Sequence, residues 1–146
     1  MDLSQYAELF LAESREHLSA CNQLLLEWER HPAAPEPVGG IFRAVHTVKG
    51  MAATMGYARV ADLAHRMENL LDHLRRGAGG RRAADDVLQL LFRATDALEK
   101  AIQLSAAGRE REVNVTGIVA ELDRAGQPIA AGTFNPDGMP FSVRRR

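Results

Sequence analysis

Residues 41–72 read IFRAVHTVKGMAATMGYARVADLAHRMENLLD, and the spacing of their apolar side chains decides the fold. Ile41, Val45, Val48, Ala52 and Met55 recur at steps of four and three, the signature of one face of an α-helix. After Gly56 the pattern repeats in Val60, Leu63, Met67, Leu70 and Leu74. This predicts two amphipathic helices joined at Gly56 and packed antiparallel through their stripes. Beside each stripe lies a polar set. His46, Lys49 and Gly50 share a face of the first helix, and His65 and Glu68 share a face of the second, because residues three and four apart are neighbours. Antiparallel packing brings two imidazoles, an ammonium and a carboxylate into one half-exposed patch.

The run His46-Thr47-Val48-Lys49-Gly50, then Met55-Gly56, then Leu63-Ala64-His65-Arg66-Met67-Glu68-Asn69-Leu70-Leu71-Asp72, resembles the histidine-containing phosphotransfer (HPt) family. Within it, the run is most similar to the domains that open CheA-type chemotaxis histidine kinases. The resemblance extends over Asp2 to Leu104, weakens after that and is absent from the tail. It implies an antiparallel four-helix bundle with a fifth helix packed outside. It also implies that a kinase catalytic domain using ATP phosphorylates His46, and that a response-regulator receiver domain takes the group onto an aspartate.

The residues carry this chemistry on their own terms. A phosphoryl carrier needs a nucleophile that titrates near neutrality and whose product is labile enough to pass on, and imidazole meets both needs. His46, beside the stripe, is accessible to two other proteins in turn. Glu68 can accept a hydrogen bond from Nδ1 of His46, which fixes the tautomer with its lone pair on Nε2. The plainer alternative makes Glu68 a rim carboxylate paired to Arg66 or Arg43. Lys49, one turn from His46, can set its ammonium near the phosphoryl oxygens, or be a solvated surface lysine. In a chain with few lysines and many arginines, a lysine here is pointed. His65 either supports the network or is a satisfied bundle histidine. Thr47 can hydrogen-bond back along its helix. Gly50 costs about 1 kcal/mol in a helix interior relative to alanine. A partner's loop docking beside His46 would offset that, and so would close packing with the neighbouring helix. Two other readings use the same residues: a metal-binding bundle with His46, His65 and Glu68 as ligands, and a structural bundle without chemistry.

Composition narrows the classes. The chain has 146 residues, enough for one domain with a core. Aromatics are only 5% and apolar content is dominated by Ala and Leu, which favours helix over sheet. A net charge of -1 argues against a nucleic-acid partner. No apolar run reaches the length of a membrane span, and no signal peptide opens the chain, so a cytoplasmic protein is expected. With one cysteine, Cys21, there is neither an intrachain disulfide nor a zinc–thiolate cluster. No cofactor is expected. The chain shows no Gly-rich phosphate loop and no nucleotide-binding box of a histidine kinase, and Gly77 to Gly80 do not follow a strand. It is read as a carrier, with catalysis supplied elsewhere, as the N-terminal piece of a CheA-type kinase. The isolated domain is expected to be a monomer.

The remaining helices follow from their own stripes. The first runs from an Asp2/Gln5 capping box through Ala7, Phe10, Ser14, Leu18, Cys21, Leu25 and Trp28. Pro32, Pro35 and Pro37 end it, leaving a loop over 31–40. The helix after Gly56 ends near Arg76, before a flexible connector over 77–80. Asp85 and Asp86 open a fourth, with Leu88, Leu91, Thr95, Leu98 and Ile102. Asn114 caps a short fifth that stops at Gly126. The expected class is all-α, an up-down-up-down antiparallel four-helix bundle. Residues 1–126 form the domain and residues 127–146 a linker or disordered tail.

Overall fold

The structure, a computed structural model, describes residues 3–78 and 85–131. It is helical: α1 Leu3–Arg30, α2 Glu36–Met55, α3 Ala58–Ala78, α4 Asp85–Ala106, a 3-10 turn Glu110–Glu112, and α5 Thr116–Ala131. The four stripes become one core. Phe10, Leu18, Cys21, Leu25 and Trp28 of α1 are buried with Ile41, Val45, Val48 and Ala52 of α2. Val60, Leu63, Met67, Leu70 and Leu74 of α3 meet Leu88, Leu91, Leu98 and Ile102 of α4. Each of α1 to α4 packs on the next, and α4 closes the ring on α1.

Pairs across the seams run antiparallel. Gln89 near the start of α4 reaches Glu29 near the end of α1. Arg59 at the start of α3 donates through Nη1 to the carbonyls of Glu110, Arg111 and Val113, just past the end of α4. At Gly56 the chain takes φ 77°, a left-handed value that glycine adopts freely, and its N–H closes the end of α2. Gly40 does another job: a Cβ there would lie 2.8 Å from Leu24 Cδ1, so glycine lets α1 and α2 approach.

Three boundaries differ from expectation. Helix α2 begins at Glu36, not at Ile41, because Pro37 sits in the first turn, where the missing N–H is an orphan anyway. Helix α3 continues to Ala78 through Gly77. Helix α5 does not stop at Gly126 but runs to Ala131, across the boundary expected between residues 126 and 127. It lies outside the ring on α3 and α4, where Leu122 is buried and Arg93 forks onto both carboxylate oxygens of Glu121. The Asp2 cap, Gly79 and Gly80, and residues 132–146 lie outside the described residues.

Burial pushes the Cys21 thiol up to about 12, so it serves as a small apolar side chain. Ser14 is less comfortable. It is buried, and among the described residues its Oγ is the buried side-chain polar atom with no hydrogen-bond partner. An orphaned buried hydroxyl costs about 1–3 kcal/mol, and alanine is the better helix former. Ser14→Ala is therefore expected to stabilise the fold by about 1 kcal/mol, read as a higher midpoint in urea unfolding. A lower midpoint would show that the hydroxyl has a partner after all.

Candidate functional site

In the register of the α2–α3 seam, Val45, Val48 and Ala52 of α2 are buried with Val60, Leu63, Met67 and Leu70 of α3, and His46 comes opposite Glu68. Nδ1 of His46 donates to Oε2 of Glu68 in a short hydrogen bond. An ionised carboxylate only accepts, so the ring proton sits on Nδ1 and the lone pair on Nε2. Lys49 donates from Nζ to the other oxygen, Oε1, at 2.7 Å. One carboxylate thus holds two side chains of the facing helix. Nδ1 of His65 lies 3.9 Å from the same Oε1, too long for a hydrogen bond, and its Nε2 faces Asn69 at 3.5 Å. His65 borders the cluster but is not held by it.

Exposure divides the labour. The Glu68 side chain is 12% exposed and that of His46 62%. The anchor is buried and the ring it anchors is open. Burial by itself would raise the Glu68 carboxyl, but hydrogen bonds from Lys49 and His46 outweigh it and hold the group below the ordinary carboxylate range. Arg66, one of the two arginines named as alternative partners, goes elsewhere. Arg66 pairs with Asp62 at 3.2 Å and Asp123 at 3.1 Å. The Arg43 carbonyl accepts the Thr47 hydroxyl at 2.9 Å, the backward bond expected of Thr47.

Two expectations are sharpened. Lys49 points to Glu68 rather than to open space beside Nε2. Gly50 is exposed and a Cβ on it would meet nothing within 4 Å, so close packing with a neighbouring helix does not explain the glycine. Among the described residues no group of three or more His, Cys, Asp or Glu side chains could hold a metal ion. No described helix is long and apolar enough to cross a membrane.

Phe42 was missed from sequence. It stands one turn before His46 with its ring stacked on the imidazole, 7° from parallel, and the Arg75 guanidinium lies over it. An aromatic four residues before the candidate histidine on a helix is the signal that would have found it.

The Hpt domain family model matches residues 5–125. Over 123 residues the chain is 43% identical to the chemotaxis protein CheA of Bacillus subtilis, covering 84% of this chain but 18% of that protein. Among solved structures it is similar to the CheA phosphotransferase domain from Thermotoga maritima, with 35% identity and a TM-score of 0.65 over 70% of this chain and 96% of that one. It is also similar to the phosphorylated P1 domain of CheA3, solved in complex with CheY6 from R. sphaeroides. There the identity is 31% and the TM-score 0.72, over 88% of this chain and 98% of the other.

The lowered Glu68 carboxyl has a sign. A folded-state value below the unfolded one adds stability above the unfolded value, and that stability is lost as pH falls through the folded one. The stability difference between wild type and Glu68→Gln should therefore be full above about pH 5 and shrink progressively as pH drops below about 4.3. Thermal unfolding of both proteins from pH 7 to pH 3 checks this. A difference that stayed constant over that range would mean Glu68 gains nothing from its charge.

Proposed function

The chain belongs to the Hpt domain family, and on that premise we propose that His46 carries a phosphoryl group between two proteins of a chemotaxis-type two-component system. A histidine kinase catalytic domain holding ATP is the donor. The Nε2 lone pair attacks the γ-phosphorus, the bond to ADP breaks and an N–P bond forms. In the second step an aspartate carboxylate of a receiver domain displaces the imidazole, the N–P bond breaks, and the histidine is regenerated. On this reading the chain is the amino-terminal part of a CheA-type kinase, acting as a monomer in the cytoplasm, and the ATP site lies outside it.

One observation carries the reading. The ring is mostly open to solvent, yet its inward nitrogen is fixed by a buried carboxylate, so Nε2 is presented outward with its lone pair free. As the N–P bond forms, positive charge grows on the ring and the Nδ1–H···Oε2 bond strengthens, lowering the barrier. Lys49 balances the charge of Glu68, and on this reading its ammonium also serves the phosphoryl oxygens. His65 adds a second imidazole beside the same carboxylate. Gly50, open and one turn beyond His46, leaves room for a partner to approach. The α5 helix, running to Ala131, is proposed as the end of the folded unit in place of residue 126.

His46→Gln should abolish acid-labile, alkali-stable phosphate after incubation with a kinase catalytic domain and ATP, with unchanged helix content, since the ring is exposed. Wild-type labelling of that variant would falsify the assignment. At Glu68, phosphorylation should slow in the order wild type, Gln, Ala, reaching about ten- to a hundredfold. The glutamine keeps an acceptor oxygen and alanine keeps none. Ring 15N shifts of His46 should show the Nε2-lone-pair tautomer losing dominance in the same order.

A further inference from the structure

We infer that Phe42 is a positioning residue for the chemistry at Nε2 of His46, and that Arg75 holds Phe42 in place. The inference rests on His46 being the phosphoacceptor. Phe42 precedes His46 by one helical turn, and their ring centroids are 6.2 Å apart in nearly parallel planes, an offset-stacked arrangement. Arg75 of α3 places its guanidinium carbon 4.2 Å from the Phe42 centroid, within the range of a cation–π contact. Arg75 is itself tied at Nη2 to Asp72 Oδ1 at 2.7 Å. So α3 grips the imidazole twice. Glu68 takes its edge directly, and Asp72 and Arg75 act on its face through Phe42.

The second grip answers a need the first leaves open. The terminal torsion of a histidine is broad and roughly two-fold. A hydrogen bond at Nδ1 selects one of the two flip states but acts as a pivot, about which the ring can still tilt. At 62% exposure, the His46 side chain has little other protein pressing on it. A flat ring beside its face narrows the tilt and keeps the Nε2 lone pair on one line. Attack on phosphorus needs that line, and small misplacements of reacting atoms are expensive. The effect belongs to the chemical step, since Phe42 is held within the domain and only partly exposed.

Phe42 also packs against the core, so the test must separate filling from positioning. Phe42→Leu keeps the apolar volume and removes the ring, whereas Phe42→Tyr keeps the ring. Arg75→Gln removes the cation over it. The intact chain is phosphorylated with phosphoramidate, a small donor that needs no protein docking. Nε2 displaces ammonia from phosphorus, the donor P–N bond breaking as the new N–P bond forms. The same variants are then phosphorylated by a kinase catalytic domain with ATP.

Phe42→Leu is expected to lower kcat about tenfold with both donors and leave KM unchanged. Phe42→Tyr should recover the rate to within about twofold, and Arg75→Gln should fall between. The His46 ring signals should broaden or shift in Phe42→Leu while unfolding remains cooperative. Should Phe42→Leu match wild type in rate and ring signals, Phe42 merely fills space and the inference is wrong. It is equally wrong if Leu and Tyr slow the reaction alike, or if only KM for the kinase domain changes. A wild-type chain that takes no phosphate on His46 from either donor overturns the parent reading instead, and this inference with it.

Discussion

The site depends on the register in which α2 and α3 pack. Val48 of α2 and Leu63 and Met67 of α3 are fully buried, and burying an aliphatic side chain of that size is worth about 1.5–3 kcal/mol. A hydrogen bond to a charged group is worth about 1.5–3 kcal/mol at best, and here there are only two, to Glu68. The many apolar contacts outweigh the few polar ones, so the stripes set the register and the polar pairs use it. A slip of one turn, about 5.4 Å, would carry Glu68 away from His46 toward Phe42 on one side or Gly50 on the other. The geometry of an exposed ring is therefore decided by the interior.

Glu68 is the point where that interior meets the chemistry. A carboxylate at 12% exposure pays for lost hydration, and the hydrogen bonds of Lys49 and His46 more than compensate, leaving the group ionised. The arrangement gives Lys49 a different character from a free surface cation. Its ammonium sits 2.7 Å from Oε1, so it reaches a phosphoryl group on Nε2 only by sharing or leaving that oxygen. On the proposed reading it acts on the imidazole through the carboxylate first. His65, at 3.9 Å from the same oxygen and half exposed, lies nearby without fixing any atom of His46.

What was legible in the sequence followed from period. The stripes at steps of three and four placed the buried residues of α1 to α4, and the polar positions one step aside placed His46, Lys49 and Glu68 together before any coordinates. Hpt family membership and a helical fold were readable from the same stretch. Boundaries were less legible, because Pro and Gly were read as stops. Pro37 sits in the first turn of α2, where a proline loses no hydrogen bond. Gly126 is carried within α5 beside the His73 ring of α3, so tertiary packing overrides a weak local preference. That Lys49 bonds Glu68 was not legible, since spacing gives a face and not the aim of a flexible side chain. Arg75 was out of reach altogether. Nothing local ties it to Phe42, thirty-three positions earlier, until the bundle closes.

On the proposed reading two demands on His46 conflict, and the fold separates them. The ring must be open to two different proteins, and it must be held still. Restraint from the solvent side would block access, so both restraints reach it from elsewhere: a buried edge contact from Glu68 and a neighbouring ring on its own helix. Gly50 belongs to the same division. Within the domain it costs about 1 kcal/mol against alanine, and the open space around it returns none of that. The proposed function gives such a position, which weakens the helix and fills no packing space, a benefit outside the chain. On the proposed reading that benefit is the room a partner needs on the helix surface one turn beyond His46.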